Sequence, residues 1–398
     1  MELILTGNGP GELTGWISPV ARAARRLAAE RSVSLRITLA LSPSQFAGGR
    51  ELAVVAGWGL FDRILPPDEV TRLALGLGRQ SPIHSGALIH LGGDLWVSAR
   101  LAGRFRLPAL AIAETTLVAT RHRHFTHIFA VSEEVVERLR ARAVPPSKVS
   151  MSGDPRADAV AAGAGSSDGR GPVRADSPLL SFLPGSRDRF FSALLPYFME
   201  VAAALAGMGV RAAPQVIVSE FLSPRVVEDA RDMVTRRWPQ LSIRWITRDP
   251  WAAMKASDLI VTIPGTNTLE LAMLGVPFVV VVDEDLLQYA PLEGAVEWLA
   301  RAPVVGTRLR RVILRRALRR IRFVALPNAR AGRMVVPEWV GRWTREDLAK
   351  RVAELLADPA RLRTIRADLQ GLGLLRPGAS DRIVETALAL AGRNVAQR

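Results

Sequence analysis

Between residues 259 and 282 the chain reads L-I-V-T-I-P-G-T-N-T-L-E-L-A-M-L-G-V-P-F-V-V-V-V. A short unbroken apolar run leads into a small-residue turn, a helical stretch, a glycine and a second apolar run. Apolar runs without alternation belong to strands covered on both faces, as in parallel sheets. The helix starts at or near Thr268, Gly275 stops it, and Pro277 opens the next strand. A glycine turn between a parallel strand and a helix N-terminus presents unpaired N–H groups and the positive end of the helix dipole. It therefore suits an anion. Taken alone, one such turn reads as an ordinary strand-to-helix connection.

The same alternation of strand and helix runs from end to end, which predicts an α/β fold with parallel sheets. A chain of 398 residues suits two domains of roughly 150 to 200 residues each. Residues 162–178 are rich in Gly, Ser, Ala and Asp and read as a linker. The expected division is a doubly wound, Rossmann-like domain over 1–161, a second over 179–372 and a closing helical segment over 373–398. That last segment is expected to pack back on the first domain. In doubly wound sheets ligands sit at the carboxyl ends of the strands, so the two domains are expected to face a central cleft.

Composition narrows the function. With no cysteine in the chain, a disulfide framework, a thiolate metal site and cysteine catalysis are excluded, which fits a cytoplasmic protein. Residues 1–6 read as a first strand and not as a signal peptide, and no transmembrane helix is expected. The formal charge is +15, almost all from arginine. It reflects either a high-GC genome or an anionic partner: a phosphorylated substrate, acidic lipid headgroups or nucleic acid. With 2 Tyr and no interleaving of basic and aromatic residues, nucleic acid ranks last, and none is expected as a partner.

Several stretches carry candidate chemistry. Residues 183–187 read L-P-G-S-R between a strand and a helix. Gly185 allows close backbone approach to a phosphate, Ser186 can donate a hydrogen bond, and Arg187 can bind phosphate oxygens in a fork. Gly265, Thr266, Asn267 and Thr268 form the matching turn in the opening stretch. Glu270 stands in the first turn of its helix, where a carboxylate either answers the dipole or accepts from ribose hydroxyls. Asp94 follows a buried strand and two glycines, as the N-cap of the next helix or as a general base aimed into the cleft. Glu12, in the glycine-rich loop G-N-G-P-G-E-L-T-G at 7–15, has the same two readings. His122, His124 and His127 stand near Arg121 and Arg123, but their spacing suits no zinc site, and a polar, anion-facing loop fits better. Residues 308–322 hold 8 arginines in 15. Arg308, Arg311, Arg315, Arg316, Arg319 and Arg320 would cover the outer face of a cationic amphipathic helix suited to an anionic membrane surface. A solvated helix or an RNA patch reads the same way.

Four of these blocks resemble the lipid-A-disaccharide synthase family, glycosyltransferases of the two-domain GT-B fold. G-E-L-T-G at 11–15 resembles the family's G-E-A-S-G, and L-P-G-S-R at 183–187 matches its own. Residues 256–258 and 265–270 resemble A-S-D followed by S-G-T-x-T-L-E. Residues 326–338 match L-P-N-x-x-A-G-R-x-x-V-P-E. The resemblance implies an inverting transferase using a UDP-sugar, with UDP-GlcNAc or an acylated UDP-glucosamine as the donor type. The donor would lie on the second domain, near Ser186, Arg187 and residues 265–268, with Asn328, Arg333 and Glu338 completing its site. The acceptor, a lipid or glycolipid, would lie on the first domain against Asn8, Gly11, Thr14 and Gly15. Asp94, with Glu12 beside it, would be the catalytic pair, Asp94 taking the proton of the acceptor hydroxyl. No metal or other cofactor is implied. A peripheral place on the inner face of the cell membrane follows, and a homodimer is a candidate assembly.

The chain also departs from the family pattern. The family's loop continues with aspartate where Trp16 stands. The earlier acidic residue and the asparagine of its P-D-F-N block fall on Leu91 and Trp96. A Trp-rich block is replaced by Glu114-Thr115-Thr116, and G-H-P-x-A-D becomes Gly153-Asp154-Pro155-Arg156-Ala157-Asp158. These changes gather on the acceptor half, which points to a different lipid acceptor. Two other functions suit the same donor half: a UDP-sugar 2-epimerase, and a non-catalytic nucleotide-sugar-binding protein.

Overall fold

The computed structural model describes residues 1–44, 49–78, 83–165, 177–284 and 321–396. The arginine-rich stretch at 308–320, with all six arginines named for it, lies outside the described residues, as does 166–176 of the expected linker. The chain divides into two compact units, residues 1–161 with 376–398, and residues 162–375.

The first unit is built on seven strands. They are β1 (Glu2–Gly7), β2 (Arg36–Leu41), β3 (Arg63–Leu65), β4 (Gly86–His90), β5 (Ala109–Ala113), β6 (His127–Ala130) and β7 (Val149–Met151). All pair in parallel, in the order β3-β2-β1-β4-β5-β6-β7. Helices cover the connections: α1 (Pro10–Glu12), α2 (Ser18–Glu30), α3 (Glu51–Gly57), α4 (Pro67–Ala74), α5 (Leu95–Phe105), α6 (Glu133–Ala141) and α7 (Arg156–Ala164). A turn of π-helix over Leu13–Ile17 joins α1 to α2, and a 3₁₀ stretch over Thr116–His124 follows β5. The strands are unbroken apolar runs because both of their faces are covered; every residue of β4 and β5 is buried. Helix α3 begins at Glu51, with Arg50 at its N-cap. Helix α7 runs on to Ala164, so the segment expected to be a linker opens in helix.

The second unit repeats the plan with β8 (Leu179–Leu183), β9 (Ala213–Ile217), β10 (Arg244–Ile246), β11 (Leu259–Thr262), β12 (Phe278–Asp283) and β13 (Glu338–Gly341). The strands are all parallel, in the order β10-β9-β8-β11-β12-β13. Its helices are α8 (Asp188–Gly207), α9 (Pro224–Arg237), α10 (Pro250–Lys255), α11 (Asn267–Leu274), α12 (Leu326–Ala331), α13 (Arg345–Leu356) and α14 (Pro359–Gly371). Among the described helices α8 is long and apolar enough to cross a membrane by length and composition. Its apolar side is instead core: Phe191, Leu195 and Phe198 pack with Phe182, Val216 and Val261 of the sheet. Truncating one of those phenylalanines to alanine would cost about 3–5 kcal/mol.

The final helix, α15 (Ala379–Ala396), belongs to the first unit and packs on α2 and β4. Ile383, Val384, Ala387 and Ala391 are fully buried, at helical spacing. Asp158 at the start of α7 accepts from the backbone of Gly378 and from Ser380 N at 2.7 Å. Arg382 donates to the Ser152 carbonyl at 2.8 and 2.6 Å. Fixing the entry to α15 therefore falls to partly buried polar contacts. The exposed pairs Arg26–Asp381 and Arg31–Glu385 add little.

Candidate active site

Each sheet reverses its strand order at one point, between β1 and β4 in the first unit and between β8 and β11 in the second. At such a switch point the two flanking connections leave in opposite directions and open a crevice at the carboxyl ends of the strands. The predicted site residues stand there. The loops after β1 and β4 hold Glu12 and Asp94. The loops after β8 and β11 hold residues 185–187 and 265–268.

In the first unit, Gly7 ends β1 under Ile17, whose Cδ1 would be 2.4 Å from any Cβ there. Pro10 starts α1, and Glu12 folds back to accept from Asn8 N at 2.8 Å and Gly9 N at 3.4 Å. The other oxygen of Glu12 accepts from Gly93 N at 3.4 Å, so its carboxylate ties the β1 loop to the β4 loop. Gly92, at φ 152°, leaves the room: a Cβ would come within 2.1 Å of the Glu12 carboxyl carbon. Burial pushes the Glu12 carboxyl above its ordinary range, while the three N–H donors and Arg156 draw it back in part. Asp94 is exposed and caps α5, accepting from Trp96 N at 2.7 Å. Both readings of Asp94 therefore concern one residue: the cap holds one oxygen, and the carboxylate stands open to solvent. Thr14 donates to Pro10 O at 2.9 Å, within its own helical turn, and Gly15 packs on the Arg156 side chain. Asn8 and Gly11 are half-buried along the same loop.

Beneath this edge His90, at the end of β4, is buried, with Nδ1 2.8 Å from Ser98 Oγ and 3.3 Å from Thr6 Oγ1. Desolvation pushes it down to about 4 against a weaker upward pull from Asp94, so it is neutral. The histidines at 122, 124 and 127 do not gather: His127 Nε2 meets Ser150 Oγ at 2.7 Å, and His122 Nδ1 meets Ala119 O at 2.9 Å. Among the described residues no group of three His, Asp or Glu is placed to hold a metal ion. Beside the Asp94 loop lies a groove of about 600 Å³, lined by Leu73, Ala74, Trp96, Arg100, Arg104 and Arg121. Leu75, Leu77 and Leu117 are more than half exposed, at 56%, 57% and 64%.

In the second unit Thr262 is in register with Leu183, so the two glycine turns leave neighbouring strands side by side. Gly185 has φ 114°, open to glycine and strained for other residues. Ser186 and Arg187 follow it, half-buried, with Arg187 at the N-cap of the 20-residue α8. Gly265 and Thr266 are exposed, and Asn267 Nδ2 donates to Thr262 Oγ1 at 2.6 Å across the turn. Thr268 is fully buried; its hydroxyl donates to Gly265 O at 2.7 Å and accepts from Leu326 N at 3.4 Å. Glu270 is buried and accepts from Trp251 Nε1 at 3.2 Å. At the end of β12, Tyr197 donates to the buried Asp283 at 2.8 Å, and Arg345 lies 3.7 Å over the tyrosine ring.

Residues 326–338 form a clasp. Asn328 is fully buried; its Oδ1 accepts from Val335 N and Val336 N at 2.7 and 2.9 Å, and its Nδ2 donates to Val336 O and Glu338 Oε1 at 2.9 and 2.8 Å. Glu338 also accepts from Val324 N and Ala325 N at 3.0 and 2.8 Å, at the start of α12. Arg333 is exposed on Asp368 at 3.0 Å. The expectation that Asn328, Arg333 and Glu338 complete a ligand site needs correction for Asn328. All four hydrogen-bonding positions of its amide are filled by the protein, so it shapes the loop and does not offer itself to a ligand.

Residues 151–290 match the family model of lipid-A-disaccharide synthetase. The lipid-A-disaccharide synthase of Syntrophus aciditrophicus is 27% identical over 225 residues, 55% of this chain and 51% of that protein. That of Thiobacillus denitrificans is 30% identical over 269 residues, 65% and 62% of the two chains. The chain is a divergent relative of the lipid-A-disaccharide synthases. It spans about half the length of the first curated relatives that it matches. Among solved structures, the UDP-GlcNAc 2-epimerase of Neisseria meningitidis, bound to UDP-GlcNAc, superposes with a TM-score of 0.60 at 14% identity, covering 98% of this chain and all of that one. The S. aureus MnaA–UDP co-structure gives 0.61 at 13% identity, covering 100% and 98%. Acinetobacter baumannii MurG gives 0.51 at 12%, covering 98% and 99%. These likenesses establish the two-domain, GT-B-like α/β fold. The stretch matching the synthetase model includes both glycine turns of the second unit.

In the sequence Trp16, Glu114 and Asp154 stand out only as departures from the family pattern. The structure joins them, together with Arg156, at the edge that holds Glu12. The available signal was position: Glu114 and Asp154 each stand within three residues of the end of a parallel strand.

Proposed function

We propose that the protein is a glycosyltransferase that moves a sugar from a UDP-sugar to a hydroxyl of a lipid or glycolipid acceptor. One observation carries this reading. Within a stretch related to lipid-A-disaccharide synthases, the 185–187 and 265–268 turns leave neighbouring strands at the switch point of a parallel sheet. Such a pair of turns, each feeding a helix N-terminus, suits a diphosphate. The donor is of the UDP-GlcNAc or acylated UDP-glucosamine type, with Glu270 toward its ribose.

Asp94 takes the proton of the acceptor hydroxyl as that oxygen bonds to the anomeric carbon from the face opposite the leaving UDP, inverting the configuration. Glu12, buried under the same loop, holds the backbone that presents Asp94. Charge developing on the diphosphate is met by Arg187 and by the N-termini of α8 and α11, so the step calls on no metal. The groove beside Trp96, with its apolar floor and three arginines, supports a lipid acceptor carrying negative charge away from the reacting hydroxyl. The exposed Leu75, Leu77 and Leu117 support work at the inner membrane surface.

The test is mass spectrometry after incubation with UDP-GlcNAc, acylated and non-acylated, and total lipid. A lipid product heavier by one sugar residue, with UDP released in equal amount, is expected. An epimerised sugar nucleotide formed from donor alone, or tight UDP binding with no release from any mixture, would overturn the reading.

A further inference from the structure

One row of the first sheet is interrupted by polar residues. From β2 to β5 its members stand in register as Ala40, Thr6, His90 and Ala111. All four are buried, and the row continues in apolar residues on β3, β6 and β7. Residues in register on parallel strands turn their side chains to the same face. The polar pair therefore shares one face of the two strands that flank the switch point, β1 and β4.

Ser98 completes the group from above. It is the one polar residue among the buried residues of α5, with Leu95, Val97, Leu101, Ala102 and Phe105 around it. A buried hydroxyl costs stability unless it is bonded. Ser98 Oγ lies 2.8 Å from Thr6 Oγ1 and 2.8 Å from His90 Nδ1, and those two atoms are 3.3 Å apart. The helix is thus bonded to both strands at one point. That point is one turn from Asp94, since Ser98 N donates to Asp94 O at 3.2 Å. On its other side Asp94 follows Gly92 and Gly93, at φ 152° and 80°, where the one printed tie is the 3.4 Å bond from Gly93 N to Glu12. The helix end, and not the glycine loop, fixes the carboxylate.

We propose that Thr6, His90 and Ser98 are positioning residues for Asp94, holding the first turn of α5 in one register on β1 and β4 so that the carboxylate meets the acceptor hydroxyl. Apolar burial is non-directional and lets a helix slide on a sheet. Three buried groups bonded to one another accept a single arrangement. A shift of about 1 Å at a reacting group can lower a rate by about 10²-fold. The inference rests on the reading of Asp94 as the base and adds the residues that place it.

Three substitutions test it, each checked for folding by its urea midpoint. Thr6→Val keeps the shape and removes a hydroxyl, Thr6→Ser keeps the hydroxyl, and Ser98→Ala removes the hub. Hydrogen–deuterium exchange over residues 94–99 is expected to quicken at least about fivefold in Thr6→Val and Ser98→Ala, and to stay near wild type in Thr6→Ser. With UDP-GlcNAc, acylated and non-acylated, and total lipid, kcat is expected to fall about tenfold to a hundredfold in the first two variants, with KM for the donor and UDP affinity unchanged. In an Asp94→Asn background the same substitutions are expected to cause no further loss, because they act through that carboxylate. Wild-type exchange in folded Thr6→Val and Ser98→Ala, or an equal loss of transfer in the Asp94→Asn background, overturns the proposal. Full transfer by Asp94→Asn alone removes the base and the proposal with it. Absence of transfer by the wild-type protein sinks the transferase reading, and the exchange measurement then decides by itself whether the three residues hold Asp94.

Discussion

The amide of Asn328 donates to Glu338 Oε1 at 2.8 Å, while the same carboxylate accepts from the backbone at Val324 and Ala325. Two residues that a motif places in a ligand site spend their polar atoms closing a loop over the N-terminus of α12. Asn328→Ala would leave two buried N–H groups and a buried carbonyl without their partner, together with a cavity. A loss of about 3 kcal/mol or more is expected, read as a shift in the urea midpoint of the second unit. UDP affinity of the fraction that remains folded should change little, because the amide's partners at Val335, Val336 and Glu338 all lie within its own loop.

Thr268 links that clasp to the glycine turn, through Gly265 O at 2.7 Å and Leu326 N at 3.4 Å. Thr268→Val keeps the shape and removes both bonds. UDP affinity is expected to fall about tenfold and stability by roughly 1–2 kcal/mol. Calorimetry and denaturation on the same preparation check the two numbers.

Asp94 offers an unusually clean separation of structural and chemical roles. Asparagine caps a helix about as well as aspartate, so Asp94→Asn should unfold within about 0.5 kcal/mol of wild type. As a base it is useless, and transfer should drop by about 10²–10⁴-fold with UDP binding intact. Full activity in Asp94→Asn would remove the proton-transfer role and leave only the cap.

His90 makes stability depend on pH. Its folded value of about 4 lies below the ordinary 6.5 because burial disfavours the charged ring. Above pH 6.5 both folded and unfolded chains hold a neutral ring, and nothing is lost. As pH falls through 6.5 the unfolded chain binds a proton that the folded chain refuses until about pH 4. Stability should therefore decline across that window, by roughly 3 kcal/mol in all. His90→Asn should flatten this part of the curve, seen by denaturant titrations at pH 7 and pH 4.5.

The strands and their closing turns were legible because a parallel strand buried on both faces has to be an unbroken apolar run. Leu259–Thr262 and Phe278–Asp283 show this directly. The turn after Leu183 was legible because Gly185 takes a φ of 114°, which few other residues adopt. The joining of Trp16, Glu114 and Asp154 around Arg156 was not. No local pattern relates residue 16 to residue 154; only the pairing of β5, β6 and β7 brings those loop ends to one edge.

By itself the sequence determined where the chain is strand, turn and helix, because backbone reach and side-chain burial act over a few residues. It also carried the kinship of the second unit, through the stretch that holds its two glycine turns. The tertiary structure decided which of those residues face solvent and which are consumed by the fold. Strand order set Glu12 against Gly93 and Arg156 against Glu114, and the closing loop left Asn328 with no hydrogen-bonding position to offer. A side chain's chemistry depends on which partners its polar atoms already have; for Arg156 and Trp16 those partners stand 42 and 138 residues away along the chain.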